Sequence, residues 1–223
     1  MSNLKSSQFI YVCLIATLIH LTWFGLAWAS SFTISPIFDN LSILVSSPSL
    51  NNRGQIAYVG SKESMSNRGD IYFYDGTTLT NITTKLDQSA YSPILNNKGQ
   101  IAFRTLAGEG RYEIYFYNGT SLTKISDAAK IFIHPGNYYY LTFNNAGQIA
   151  FIGSNLINDS SDLYFYDGST IHNITSDLNI IVSAPDLNDK GEIAFIGDNN
   201  VLAAYPSDES SSNDFCTETN PHR

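Results

Sequence analysis

The chain has 223 residues and a formal net charge of −8, and only 14% of its residues are charged. This length allows one well-packed domain or a compact array of repeats. Lys and Arg are not concentrated anywhere in the sequence, which argues against a nucleic-acid partner and against binding to an anionic membrane surface.

The N-terminal segment has the features of a secretory signal peptide. A weakly basic start at Lys5 precedes the nearly uncharged apolar run Phe9–Trp28, and Ala27 and Ala29 supply small residues for cleavage before Ser30. We therefore assign residues 1–29 as a signal peptide. The run is also long enough to span a bilayer, so an uncleaved N-terminal anchor is the alternative. Both interpretations place the folded part outside the cytoplasm, either secreted or periplasmic.

A nine-residue phrase recurs four times after this segment. Its copies begin 45, 48 and 44 residues apart: LNNRGQIAY (50–58), LNNKGQIAF (95–103), FNNAGQIAF (143–151) and LNDKGEIAF (187–195). A period of roughly 40–50 residues is typical of propellers and other repeat arrays.

A second phrase follows the first in three of these cycles. Its copies are DIYFYDGTTLTNIT (70–83), EIYFYNGTSLTKIS (113–126) and DLYFYDGSTIHNIT (162–175). Because the two phrases keep nearly the same spacing in each cycle, we interpret one cycle as one structural unit.

Each cycle is predicted to form four antiparallel strands, and the second cycle shows the pattern most clearly. Its predicted strands are Tyr91–Leu95, Gln100–Thr105, Glu113–Tyr117 and Thr120–Ile125. The first two are joined by the turn Asn96–Gly99, in which Asn tolerates a bent backbone and Gly a positive φ. The last two are joined at Asn118-Gly119, a strong signal for a type I′ hairpin turn. A longer loop, Leu106–Tyr112, connects the two hairpins.

The second and third strands are apolar on both faces, so each sheet must be covered on both sides. The sequence therefore predicts an all-β fold, a β-propeller-like array of four four-stranded blades of about 45 residues each, within residues 30–205. The fourth cycle stops after its third strand, Val201–Tyr205. Phe32–Ser35 resembles a fourth strand without a blade, and we expect it to close the ring. A half-ring that pairs with a second copy and an open array are the alternatives. Residues 206–223 are polar and are predicted to be a disordered tail.

The two phrases resemble the repeat of secreted bacterial tandem-repeat proteins, L-N-[ND]-x-G-[QE]-[IV]-A-F followed by an I-Y-x-Y-[DN]-G hairpin, which are in turn similar to TolB-type β-propellers. All four copies match the first motif, with Tyr58 and Phe143 as mild departures, and three copies match the second. The resemblance covers roughly residues 32–205. It implies a propeller with an extracytoplasmic binding or scaffolding role, and it brings no catalytic residues.

A propeller of this kind has two unlike faces. The uniform turns within the hairpins share one face, whereas the second-to-third-strand loops and the links between blades share the other and vary in sequence. Recognition usually lies in varied loops on a rigid scaffold, and the long link 127–140 is rich in Tyr, which suits contact with protein or sugar. The candidate binding residues are His134, Tyr138, Tyr139, Tyr140, Arg104 and Arg111.

No catalytic motif and no His-rich or carboxylate-rich cluster stands out, so we predict no catalytic residues, no metal site and no cofactor. Three of the four Asn-rich turns contain no acid, which favours a structural turn over a calcium loop. His172 replaces a Thr within the second phrase and is interpreted as a surface substitution. The alternative function is an extracellular polysaccharide hydrolase or lyase that uses acids such as Glu109 or Asp159.

The sequence thus predicts a secreted, non-enzymatic module that recognises a protein or a glycan through its variable loops. It predicts no nucleic-acid partner and no membrane contact apart from an uncleaved N-terminal anchor. Self-assembly of a half-propeller into a homodimer is the other alternative.

Overall fold

The computed structural model describes residues 11–12, 35–36, 44–61, 69–126, 131–133, 141–155, 161–178, 180–197 and 202–205. The predicted tail 206–223 and most of the predicted signal peptide lie outside these residues. None of the described residues belongs to a helix with the length and hydropathy needed to cross a membrane.

The described chain is all-β, as predicted, and four antiparallel sheets follow one another along it, one for each sequence cycle. Two short strands, β1 (Tyr11–Val12) and β2 (Ser35–Pro36), precede them and pair with each other. Sheet 1 consists of β3 (Leu44–Leu50), β4 (Ile56–Ser61), β5 (Asp70–Tyr74) and β6 (Leu79–Asn81). Sheet 2 consists of β7 (Ala90–Leu95), β8 (Ile101–Leu106), β9 (Tyr112–Tyr117) and β10 (Leu122–Lys124).

The third and fourth sheets continue the pattern with one addition and one omission. Sheet 3 consists of β11 (Ile131–Phe132), β12 (Leu141–Phe143), β13 (Ile149–Asn155), β14 (Ser161–Tyr166) and β15 (Ile171–Asn173). Sheet 4 consists of β16 (Ser183–Leu187), β17 (Ile193–Ile196) and β18 (Leu202–Tyr205). The extra strand β11 comes from the long link, where the sequence predicted a loop, and the described part of sheet 4 ends at its third strand.

Closure by the N-terminal strand stays a prediction. The described end of the predicted closing segment is Ser35, and it pairs with Val12 rather than with β18. The sheets that the structure describes form an array that is not joined into one closed sheet.

Local turn chemistry sets the strand boundaries. Gly99 ends the first turn of sheet 2 with a φ of +81°, and Gly119 occupies the hairpin turn between β9 and β10 with a φ of +103°. Both values lie in the left-handed region that only glycine enters without strain. The two predicted turns of this cycle are confirmed at the predicted positions.

The first strands of sheets 1, 2 and 4 share an irregularity that the sequence did not reveal. Ser47, Ser92 and Ala184 each adopt a positive φ of about 50°, and the register of each strand shifts there against its neighbour. These are β-bulges, which bend a strand and re-aim the residues that follow. The bulge makes β3, β7 and β16 equivalent strands, residue for residue.

The hydrophobic core lies between consecutive sheets. We call the side of a sheet that meets the preceding sheet its front face, and the side that meets the following sheet its back face. Ala57 on the back of sheet 1 packs with Leu95, Ile101 and Phe103 on the front of sheet 2. The same alternation of front and back residues builds the cores between sheets 2 and 3 and between sheets 3 and 4. The prediction that both faces of each inner sheet are covered is confirmed.

Candidate functional site

The four turns that begin with Asn are closed by their own side chains. We call Asn51–Gly54, Asn96–Gly99, Asn144–Gly147 and Asn188–Gly191 the Asn turns. In the second one, the Asn96 side-chain oxygen accepts the backbone N–H groups of Lys98 and Gln100, each at 3.0 Å. The Asn96 side-chain amide donates to Gln100 Oε1 at 2.8 Å. The Asn96 side-chain oxygen is therefore occupied by hydrogen bonds within the turn, as a structural turn requires.

The Asn turns also bond to one another and form a ladder across the four sheets. The Nδ2 atoms of Asn51, Asn96 and Asn144 each donate to the backbone carbonyl of the equivalent Asn in the next sheet, at 2.9, 3.1 and 2.8 Å. A parallel set of bonds runs from the backbone N–H groups of Asn52, Asn97 and Asn145 to the side-chain oxygen one turn further on, at 2.9, 2.7 and 2.8 Å. We call this array the Asn ladder; every donor in it points from one sheet to the next.

The opposite side of the array, the loop face, is built around Arg104. Its side chain is 5% exposed, donates to Ser92 Oγ at 2.8 Å and lies 5.3 Å from the centre of the Tyr112 ring. Tyr91 meets Tyr112 edge to face at 5.8 Å. The cation and the two rings hold one another in place beneath the loop between β8 and β9. The structure thus places Arg104 under the loop face rather than on its surface.

The long link is attached to this same place. Ile133 is buried and exchanges two backbone hydrogen bonds with Tyr112, at 3.0 and 2.9 Å. Arg111 is half-buried and ends the 3₁₀ turn Gly108–Gly110, in which Glu109 lies. Four predicted binding residues, namely His134, Tyr138, Tyr139 and Tyr140, lie outside the described residues, as does Asp159. These four binding residues follow Ile133 in sequence and precede β12, so the link that carries them starts beside Tyr112.

A pocket that the sequence did not predict lies on the other side, between sheets 3 and 4. It has a volume of about 210 Å³, and its polar lining includes Asp167, His172, Lys190 and Tyr205. His172 Nε2 lies 2.9 Å from Asp167 Oδ2. His172 was interpreted as a surface substitution, and it is exposed, but it also pairs with the acid of its own hairpin. The signal in the sequence was that sheet 3 alone combines this His with an Asp-Gly turn.

The carboxylate of Asp167 is held in its charged form. Burial by itself would raise its pKa, but hydrogen bonds from the backbone of Thr170, from His172 and from Ser169 lower it below the ordinary value of 3.8. Within the described residues, no group of three or more His, Cys, Asp or Glu side chains is arranged to hold a metal ion. The pocket therefore offers a hydrogen-bonded Asp–His pair, a Lys side chain and a phenol to a small polar ligand.

This pairing predicts a pH-dependent contribution to stability. Because the folded-state pKa of Asp167 is lowered, the group stabilises the folded chain at pH values above about 3.9, and this contribution is lost as the pH falls further. The side chain is about one-third exposed, so we expect less than about 1 kcal/mol. Thermal unfolding of the wild type and Asp167→Asn from neutral to acidic pH measures the difference. Asn118 closes the same hairpin in sheet 2 through its amide oxygen, so the substitution keeps the turn. A difference that persists unchanged in acid would contradict the prediction.

The sequence matches no protein-family model and no curated protein. The fold, in contrast, is similar to solved structures. A puromycin-hydrolyzing peptidase of Mycobacterium tuberculosis aligns with a TM-score of 0.54 and 12% identity, over 82% of this chain and 30% of the peptidase. Dipeptidyl peptidase 4 of Porphyromonas gingivalis aligns with a TM-score of 0.55 and 13% identity, over 76% of this chain and 30% of the peptidase.

A putative TolB of Agrobacterium tumefaciens aligns with a TM-score of 0.50 and 12% identity, over 85% of this chain and 70% of that structure. The chain thus spans less than a third of either peptidase. At these identities the likeness concerns the fold alone. The expected resemblance to TolB-type proteins is confirmed at that level: the chain is an all-β array whose structural neighbours are β-propeller proteins.

Proposed function

We propose that the chain is a secreted, non-enzymatic binding module that recognises a protein or a glycan through its loop face. The observation that carries this proposal is the contrast between the two faces. On the face opposite the loop face, which we call the turn face, the Asn turns bond to themselves and to one another, and the hairpin turns bond within themselves. Asp75, for example, accepts the backbone N–H groups of Thr77 and Thr78 at 2.8 and 2.7 Å. Side chains used in this way close their own turns or link one sheet to the next, which leaves fewer polar atoms of these turns to contact a large ligand.

On the loop face, by contrast, packed side chains lie beneath the loops. Arg104, Tyr112 and Tyr91 form a packed base, and Ile133 ties the start of the long link to that base. A loop anchored at a rigid base loses less conformational entropy on binding than a free one. Arg104 acts as a positioning residue in this arrangement. Arg111 and the three tyrosines of the link are the proposed contacts.

The proposal is tested by removing contacts from one face at a time. The loop-face variant carries Tyr138→Ser, Tyr139→Ser and Tyr140→Ser; a second variant carries Arg111→Ser. The matched control is Arg53→Ser, which removes an exposed cation from the turn face. Each protein is applied to a printed array of polysaccharide fragments and to an array of purified extracellular proteins. Any ligand found is then titrated by calorimetry against all four proteins.

We expect a ligand to bind the wild type and Arg53→Ser with equal affinity. The tyrosine variant should bind at least about tenfold more weakly, a loss of about 1.4 kcal/mol. A ligand that binds all variants equally, or that is lost only with Arg53→Ser, would contradict the use of the loop face. Turnover of a polysaccharide fragment would contradict the non-enzymatic assignment.

A second candidate function, self-assembly with another copy of the chain, is favoured by a separate observation. Leu50 in sheet 1 is 52% exposed and Ile196 in sheet 4 is 37% exposed, whereas their counterparts Leu95 and Ile152 in inner sheets are 7% and 0% exposed. Both ends of the array therefore leave apolar positions uncovered that the inner sheets bury. Light scattering across a range of protein concentrations tests this candidate, which predicts a dimer.

A further inference from the structure

The back face of sheet 4 carries the small apolar residues that the other sheets bury against the sheet that follows. We call such a contact between two consecutive sheets a joint. Ala57, Ala102 and Ala150 occupy the same position in sheets 1 to 3, and each is fully buried against the sheet that follows. Their counterpart in sheet 4, Ala194, is exposed, and so is Ala204, which pairs with it across the strands. Since Phe195 packs on sheet 3, strand alternation places Ala194 and Ile196 on the opposite side.

The first strand of sheet 1 is uncovered in the complementary way. In the inner joints, the first strand of each later sheet makes much of the contact: β7 packs on β3 and β4, and β16 packs on β12 and β13. Pro93 and Leu95 of β7 are buried, as are Pro185 and Leu187 of β16. The equivalent residues of β3, Pro48 and Leu50, are exposed. Ile56 and Tyr58 in the next strand are already buried, which limits the available contact to β3 and the turn that follows it.

The two ends of the Asn ladder differ, and the hydrogen-bonding groups at one end are complementary to those at the other. At the last turn, Asn188 Nδ2 donates to Glu192 at 2.6 Å, and within the described residues it has no carbonyl of a further sheet to bond, unlike the three Asn residues before it. At the first turn, the carbonyl of Asn51 accepts its own turn bond from Gly54 and no second bond from the described part of the chain, whereas the carbonyl of Asn96 also accepts Asn51 Nδ2. The last turn of the array therefore presents a hydrogen-bond donor, the Asn188 side-chain amide, and the first turn presents an acceptor, the Asn51 carbonyl.

The charges of the first and last Asn turns are also complementary. The last Asn turn has Asp189 and Glu192 where the first has Asn52 and Gln55, whereas both turns carry an exposed cation at the same position, Lys190 and Arg53. With two acids and one base the last turn has a formal charge of −1, and with one base and no acid the first has +1. Hydrogen bonds from Asn145 lower the pKa of Asp189, which further favours the charged form that an Asp has at neutral pH. An anionic last turn and a cationic first turn attract each other when the two ends meet.

We propose that two copies of the chain associate head to tail. The back face of sheet 4 in each copy packs on β3 of the other, and the Asn ladder continues across both joints from Asn188 to Asn51. The contact joins two different surfaces, and two such contacts related by a twofold axis cover every open end. This inference rests on the second candidate function, self-assembly, and it is independent of what the loop face binds.

The test uses two variants that disable opposite surfaces. Ala194→Asp places a charge on the back face of sheet 4, and Leu50→Lys places the opposite charge on β3. Thr123→Asp, on an exposed position of β10, is the matched control. The purified full-length chains are studied by sedimentation velocity, alone and as a mixture of the two surface variants. Thermal unfolding of each variant, at a concentration where all of the chains are monomeric, checks that the exposed substitutions leave the fold intact.

We expect the wild type and Thr123→Asp to form dimers, and each surface variant alone to associate at least about tenfold more weakly, about 1.4 kcal/mol. The mixture should recover a dimer. In it, one joint is wild type and the other brings Asp at position 194 to Lys at position 50. Only a contact between unlike surfaces gives this rescue, because an isologous contact would carry a substitution on one side in every joint.

Each contrary outcome contradicts a different part of the proposal. A monomer at every concentration overturns this inference and the self-assembly candidate together, and it leaves the binding role of the loop face standing. A dimer that is unaffected by Ala194→Asp, or that the mixture fails to restore, overturns the head-to-tail arrangement alone. Species larger than two copies overturn the closed pair. At a protein concentration where the wild type is also monomeric, a lower melting temperature of Ala194→Asp would show that the chain covers this face itself, which also overturns the inference.

Discussion

Replacing Ile152 with alanine is expected to lower the free energy of unfolding by about 3–4 kcal/mol. Ile152 is fully buried on the back of sheet 3, where it packs with Leu187, Ile193 and Phe195 of sheet 4. Removing its side-chain atoms leaves a cavity between two sheets whose backbones are held by their own hydrogen bonds, so the space can collapse only in part. Urea unfolding followed by tyrosine fluorescence measures the change.

The repeat provides a matched control for this variant. Ile196 occupies the same strand position in sheet 4, but it is 37% exposed because the described chain places no sheet behind it. We expect Ile196→Ala to cost less than about 1 kcal/mol when the protein is dilute enough to be monomeric. Equal costs at positions 152 and 196 would contradict the open end of the array.

Replacing Asn96 with alanine is expected to cost about 3 kcal/mol. The side chain is 5% exposed and takes part in four hydrogen bonds, three within its own turn and one to the carbonyl of Asn144 in the next sheet. Alanine leaves Gln100 Oε1, two backbone N–H groups and one carbonyl without these partners. An unsatisfied buried group costs more than the net value of the bond that it lost.

Asn188→Ala separates the ladder bond from the turn bonds. Asn188 makes the same bonds within its own turn but, in the described single chain, none to a following sheet, and it is exposed. We expect it to cost about 1 kcal/mol under monomeric conditions, so that the difference between the two variants reports the inter-sheet bond together with the deeper burial of Asn96. Chemical unfolding at low protein concentration gives both values. A loss at position 188 as large as that at position 96 would mean that the ladder bond adds nothing.

Strands and turns were predictable because their causes are local. Tyr91–Leu95 was predicted as a strand and β7 covers it; Asn118-Gly119 was predicted as a hairpin turn and joins β9 to β10. Side-chain alternation and the need for positive φ depend on neighbours within a few residues. The repeat strengthened the prediction of strands and turns, because the same pattern recurs from cycle to cycle.

The roles of particular side chains were harder to predict. Asn96 was explained by the bent backbone that its turn needs, but its amide also bonds to a residue 48 positions away. Arg104 was a candidate contact on the surface, and the structure buries it against Tyr112. The pairing of His172 with Asp167 and the strand Ile131–Phe132 in the long link were not anticipated. The ladder bond of Asn96 depends on how one sheet lies against the next, which no single cycle encodes. The contacts of Arg104 and His172 lie within one cycle, but they depend on which side chains the paired strands bring together.

The amino-acid sequence alone was enough to establish the all-β class, the period of the repeat, the identity of the strands and the chemistry of the turns. All of these follow from short-range backbone preferences and from alternation between polar and apolar residues. The stacking of the sheets determines the direction of the Asn ladder, the pocket beside His172 and the exposure of Leu50 and Ala194. These features arise from contacts between residues about one repeat apart, and identical phrases in the sequence have different surroundings at the middle and at the ends of the array.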